Sequence, residues 1–443
     1  MTEGSPLRLI LVTALPLMLG NMFQQMYTLV DASVVGRGIG MQALAAVGAS
    51  DWFNWMCLSI AQGLAQGFAI PIAQAFGAKD YRELRRYAGN AALLAAATAV
   101  VITGGSQAAI RPVLGLLATP EAVLPTAVSY LRVIFSGLPV VMAYNLLAGM
   151  LRALGDSRSP LMAMVIASLT NIALDLLFVL GLGWGVRSAA AATVIAQAVS
   201  CMFCLTRLRG LDFMKLARED LRLDGARCSR LMKLGLPISA QNAVIAVGGM
   251  VLQRVVNPMG VIFIAGYTAT SKLYGLLEVA AISYGYAMST YAGQNLGAGR
   301  IGRIRQGVRT GVITGGVTAL LIAAVMFIFG RVIIGLFIED TAEAEAAIEI
   351  AMEFLRIMAG ALPILYVLHV VRSALQGMGD TVMPMVSGLA EFVMRTGSAI
   401  ALPPLIGGSG VFWAEVLAWV GADVILIPSY FRRMAKIDPG AGR

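Results

Sequence analysis

Two acids in this chain sit where acids are rare. Asp31 ends the stretch LPLMLGNMFQQMYTLVD, and Asp175 lies within SPLMAMVIASLTNIALDLLFVLGLG. Both stretches are apolar and long enough to lie at lipid depth, where an ionisable side chain is costly and marks a functional-site candidate by default. Gln24, Tyr27 and Asp31 fall at i, i+3 and i+7, and so do Ser168, Asn171 and Asp175. On a helix each acid therefore shares one face with an amide and a hydroxyl. No basic residue lies within a turn of either acid. Such oxygen-bearing side chains suit Na⁺, a hard cation. They equally suit a proton carrier, because burying two acids together disfavours ionising both. The sequence predicts that these two helices face each other across a cation-binding cavity; the plain alternative is two separately hydrogen-bonded carboxyls.

The elements that must position these acids are membrane spans. Of the 443 residues, 58% are hydrophobic and 13% charged, with a mean hydropathy of +0.79. A soluble domain carries about 25% charged residues, so the composition excludes a water-soluble protein. Apolar stretches near the ~20 residues needed to cross a bilayer recur from end to end. We read twelve, at roughly 8–32, 43–75, 87–108, 122–147, 158–182, 187–206, 236–257, 263–295, 307–330, 346–372, 384–405 and 409–431. The second and eighth are over-long. The net charge of +9 reads as loop charge that orients the spans, and not as a nucleic-acid footprint. With both termini cytoplasmic, 24 Lys and Arg, Arg372 among them, fall in inside segments, against Arg37, Arg111, Arg187 and Arg331 outside. An outer loop around Glu339–Glu349 is acidic. Cys57, Cys201, Cys204 and Cys228 show no zinc-ligand spacing and call for no disulfide.

The chain repeats itself. GMLRALGDSRSP (149–160) matches SALQGMGDTVMP (373–384) at an offset of 224, and AQAFGAKDYRELRR (73–86) matches GQNLGAGRIGRIRQ (293–306) at 220. Leu15-Pro16 matches Leu236-Pro237 at 221. Six spans per half keep the halves in one orientation, so the repeat is parallel. The expected fold is an all-α polytopic membrane protein of twelve transmembrane helices in two six-helix parallel repeats. Its parts are an N-lobe at 1–206, a cytoplasmic linker at 207–235 and a C-lobe at 236–443. Two such halves suit alternating access; a channel is the rival reading.

These features resemble the multidrug and toxic compound extrusion (MATE) transporters of the MOP superfamily, the DinF-like branch in particular. The marks are P-x7-QQ-x-Y-x3-D-x4-G from Pro16 to Gly36 and LAAVGAS at 44–50. Further marks are YN-x3-G-x-LRALGDSRSP from Tyr144 to Pro160, then N-x3-D, and GQNLGAG at 293–299. The resemblance covers nearly the whole chain and implies a V-shaped pair of lobes. It implies an antiporter that exports cationic or amphiphilic organic compounds in exchange for H⁺ or Na⁺ from a bacterial inner membrane. It carries over a cation site made of Asp31, Asn145, Asn171, Asp175 and Thr193. Gln24, Tyr27, Tyr130 and Ser168 match further polar positions of that cavity, and Pro16 matches a proline that kinks the first helix. The NorM-type branch carries an acid on the seventh helix. None lies between Gly235 and Asn257, where Gln241 and Asn242 stand instead and are expected to line the cavity. The rival within the superfamily is a flippase or exporter of a lipid-linked or other amphiphilic metabolite.

Elsewhere, Glu391 and Arg395 stand at i, i+4 and Glu353 and Arg356 at i, i+3, spacings that let each pair neutralise itself on its own helix. Lys272, Glu278, Glu415 and Asp423 are candidates to line the C-half cleft. His369, the one histidine, suits packing at a helix end better than a proton relay. The LGDS and GMGD turns read as helix-to-helix turns, since no GK[ST] or strand accompanies them. With no ATPase site, zinc site or nucleophile–base pair, the chain reads as no enzyme. No cofactor is expected beyond the coupling ion. The expected partners are small organic cations and the lipid bilayer, with no nucleic acid, and the expected state is a monomer.

Overall fold

The computed structural model describes residues 1–117, 119–335 and 344–438, apart from the side chains of Leu29, Ala32 and Met41. Residues 336–343, which hold the start of the acidic outer stretch, lie outside the described residues. The described chain is helical, with no strand among those residues. In order, the helices are α1 Pro6–Gly38, α2 Met41–Gly77, α3 Tyr81–Leu116, α4 Leu124–Ser136, α5 Leu138–Ala153, α6 Arg158–Asp175 and α7 Val186–Arg209. They continue as α8 Gly225–Val256, α9 Val261–Gly297, α10 Ile301–Gly335, α11 Ala344–Gly377, α12 Val382–Ala401, the short α13 Pro403–Ile406 and α14 Ser409–Ile437.

The expected fourth span is two helices. α4 and α5 meet at a 44° bend around Gly137, where a Cβ would stand 2.4 Å from Val194 of α7. The glycine allows that approach, and Pro139 follows at the new helix start. Nine described helices are long and apolar enough to cross a membrane, or ten with the bent pair as one span. α9 and α12 fall short because they carry Lys272 and Glu278, and Glu391 and Arg395, respectively. Their positions in the repeat complete the twelve.

The duplication is visible in the packing. α2 packs on α3 and α5, α3 on α5, α5 on α7 and α6 on α7. In the same pattern, α9 packs on α10 and α11, α10 on α11, α11 on α14 and α12 on α14. The matched G-D turns act alike as well. Gly155 and Gly379 adopt φ of 87° and 81°. Asp156 then accepts from Ser159 N at 2.9 Å and Asp380 from Met383 N at 3.3 Å. Each aspartate satisfies a backbone donor that the first turn of the next helix leaves open.

The chain forms two compact units, Leu15–Ala243 and Met1–Ala14 with Val244–Arg443. The stretch 207–235 lies inside the first unit, as does the beginning of α8, while the beginning of α1 belongs to the second. The contacts give the reason. Arg227 grips Glu83 of α3 through Nη2 at 2.7 Å and Nε at 3.1 Å. Arg230 donates to Gln74 Oε1 at 2.7 Å, and Asn90 donates to Arg222 O and accepts from Asp224 N. Gly67 of α2 lies so close to Gly235 of α8 that a Cβ would meet backbone at 2.4 Å. In the second unit, Gln294 Oε1 accepts from Met1 N at 2.6 Å, and Arg303 donates to Gly4 O at 2.9 Å. At the repeat offset of 220, Gln294 corresponds to Gln74 and Arg303 to Glu83. The same two positions of the duplicated turn thus hold the segment that begins the other repeat's first helix.

The Arg227–Glu83 grip is charge-assisted and partly buried, a class of contact worth roughly 1.5–3 kcal/mol. Arg227→Gln is expected to lower the unfolding temperature of the detergent-purified protein, and the exchange Glu83→Arg with Arg227→Glu to restore part of the loss. Scanning fluorimetry of the three proteins checks both.

Candidate functional site

The site lies in the first unit, on α1, α6 and α7. α6 and α7 pack side by side. Asn171 and Asp175 are one turn apart on α6, and Thr193 and Gln197 are one turn apart on α7. Asn171 Nδ2 donates to Thr193 Oγ1 at 3.3 Å, and Thr193 donates back to Ala189 O at 3.2 Å. The carboxyls of Asp31 and Asp175 lie within hydrogen-bonding reach of each other. Asp175 is completely buried, and Asn171 nearly so. After Asp175 the helix widens into a π-helical turn, Leu176–Gly181, a feature that often accompanies functional sites.

Five buried oxygens here have no hydrogen-bond donor among the described residues. They are Asp31 Oδ1, both carboxyl oxygens of Asp175, Asn171 Oδ1 and Gln197 Oε1. Buried acceptors without donors are costly, the more so when charged. A proton shared between the acids answers one oxygen of each, and a bound cation is the ligand that could engage several of these oxygens together. The donor set fits Na⁺ as well as H⁺.

The polar surroundings are now placed. The Tyr27 hydroxyl is in hydrogen-bonding contact with Gln24 and Gln197 and feels both carboxyls. The buried Tyr130 feels both as well. Gln24, Tyr27, Tyr144, Gln197 and Ser200 line a small pocket beside the acids. Ser168 is buried and donates to Met164 O at 2.8 Å. Asn145 donates to Val141 O of its own helix at 2.9 Å. Pro16 stands inside α1, two residues beyond the division between the units.

Three expected cavity residues stand apart from this cluster. Asn242 donates to Ser59 O at 3.0 Å, helping to fasten α8 to α2, and Gln241 is buried beside it. Both lie in the compact unit Leu15–Ala243. Glu278 belongs to the second unit, where its Oε1 stands 3.8 Å from His369 Nε2. There too, Arg372 is not a loop cation. It is buried and donates to Glu391 Oε2 at 2.8 Å, because α11 continues five residues beyond it. Glu391 and Arg395 pair as their spacing predicts, at 3.1 Å, whereas Glu353 and Arg356 both remain exposed. Gln197 was missed in the sequence. Its signal was present: Thr193, Gln197 and Ser200 fall at i, i+4 and i+7 on one span.

A polytopic helical chain, duplicated, with paired acids buried in one half, is a form that suits a membrane transporter. The MatE family model matches residues 16–177 and again 237–399, one match per repeat, and the chain belongs to the MatE family. It is 30% identical over 337 residues to the probable multidrug resistance protein YoeA of Bacillus subtilis, covering 73% of this chain and 72% of that one. It is 27% identical to the probable multidrug resistance protein YpnP of the same organism, covering 93% and 91%. In fold it matches a MOP superfamily transporter from Pyrococcus furiosus with a TM-score of 0.92 at 23% identity, over 99% of this chain and 98% of that one.

The buried acid pair is expected to cost stability. Asp175→Asn supplies a donor to Asp31 and removes one desolvated acid. It is expected to raise the unfolding temperature while abolishing any stabilisation by added Na⁺ or by lowered pH. Thermal melts across a salt and pH series read both effects.

Proposed function

We propose that this protein is a secondary active antiporter that exports cationic or amphiphilic organic compounds in exchange for H⁺ or Na⁺ by alternating access. It sits in a bacterial inner membrane as a monomer with both termini cytoplasmic. The observation that carries the reading is the cluster of five donorless oxygens around Asp31 and Asp175. Relatives named for multidrug resistance support export of organic compounds, and the resemblance to the MATE transporters supplies their cationic or amphiphilic character.

In this reading, Asp31 and Asp175 bind the coupling ion, and the carbonyl of Asn171 and the hydroxyl of Thr193 complete its oxygen ligands. Neutralising the acids removes their mutual repulsion, which is strong in a low-dielectric setting. Tyr27 and Gln24 share α1 with Asp31, so any shift of that helix reshapes the pocket they line. α1 can change its bend next to Pro16, where the helix lacks one backbone donor. Coupling follows if ion and organic compound each favour a different state of the pocket.

The test is efflux of ethidium from liposomes holding the purified protein, with a pH gradient and a Na⁺ gradient imposed separately. One gradient is expected to drive efflux. Asp31→Asn and Asp175→Asn are each expected to slow it more than tenfold, while Asp212→Asn, at an exposed loop position, leaves it unchanged. Full-rate transport by either site variant would overturn the site. Failure under both gradients would turn the reading to a lipid-linked or other amphiphilic metabolite.

A further inference from the structure

The second unit buries its own charges, and they do not balance. Arg372 of α11 donates to Glu391 Oε2 of α12 at 2.8 Å and to Ser387 Oγ at 3.3 Å. Glu391 Oε1 accepts from Arg395 Nη2 at 3.1 Å. Arg395 also reaches Glu415 Oε2 of α14, from Nη2 at 2.9 Å and Nε at 3.1 Å. Two guanidinium groups and two carboxylates thus alternate in one chain, with each charge answered. Asp423 of α14 is the acid left over. It is 7% exposed, and its Oδ1 has no hydrogen-bond partner among the described residues.

The charged groups that face Asp423 from the packed helices are Arg372 of α11 and Glu391 of α12. On its own helix, Glu415 is committed to Arg395. α13, which also touches α14, holds no charged residue. On α11 the neighbouring His369 stands against Glu278. An ionised Asp423 would be a third buried carboxylate beside two cations already engaged, and an uncompensated buried charge is strongly destabilising. The nearby guanidinium repels a metal cation, which leaves a proton as the ligand that fits.

We propose that Asp423 is a proton-binding site of the second unit, with Arg372 as the cation that takes the proton's place. While Arg372 pairs with Glu391, Asp423 holds its proton as a neutral carboxylic acid. When Arg372 turns from Glu391 towards Asp423, the acid O–H bond breaks, the proton leaves to water and the guanidinium pairs with the new carboxylate. Arg395 stays bound to both Glu391 and Glu415 and is then shared between them, so the deprotonated arrangement carries one net negative charge and the protonated one is favoured. The site is no copy of the first unit's acids. At the repeat offset of 224, Asp423 falls on Val199, and Asp175 falls on Ala399. The proposal does not depend on which compound the protein exports.

Infrared pH-difference spectroscopy of the lipid-reconstituted protein tests it without a transport assay. A protonated-carboxyl stretch is expected to persist in the Asp31→Asn/Asp175→Asn double variant and to vanish when Asp423→Asn is added. Asp423→Glu in the double-variant background is expected to keep the band at a shifted position. Spectra of the double and triple variants that superimpose in the carboxylic-acid region would overturn the proposal. If the triple variant does not fold, an unshifted band in the Asp423→Glu protein overturns it equally.

Discussion

Desolvation sets the terms on which this chain can keep charge in its membrane-depth helices. A carboxyl removed from water needs a counter-ion, a proton or a metal cation, and each choice leaves a different kind of structure behind. The second unit mostly takes the first choice: Arg372, Glu391, Arg395 and Glu415 answer one another in a fixed series. Among the described residues the first unit sets neither Arg nor Lys against Asp31 and Asp175, and its neighbours there include the amides of Asn171 and Gln197 and the hydroxyl of Tyr27. The result is a group of acceptors without hydrogen-bond donors among the described residues. A series of mutual ion pairs favours one arrangement, whereas a pair of acids without counter-charges is left without such a fixed partner.

The duplication makes this contrast informative. Both halves pack their helices in the same order, and both use a glycine at positive φ followed by an aspartate to start a helix. The scaffold has therefore been kept while its buried chemistry diverged. At the repeat offset Asn171 corresponds to Arg395 and Asp175 to Ala399, so an amide and an acid in one half are a cation and a methyl group in the other. The anchoring of α1 and α8 follows the duplication as well. Each begins in one compact unit and ends in the other, and equivalent turn positions hold both beginnings. Helices shared in this way cannot stay rigid if the units move, and α1 carries both Pro16 and one of the paired acids.

Much of this was legible in the sequence. The apolar stretches, the repeat, the i, i+3, i+7 faces ending in Asp31 and Asp175, and the Glu391–Arg395 pair are local or periodic patterns. Helix geometry fixes such patterns before any tertiary contact forms. Only the tertiary structure decided that the fourth span breaks at Gly137, because that depends on how near Val194 approaches. It alone brought Gln197 to Tyr27, fastened Asn242 to α2, buried Arg372 against Glu391 and left Asp423 with an unanswered oxygen. Each of these is a contact between helices distant in the chain, and side-chain spacing along one helix carries no information about what a neighbouring helix will present to it.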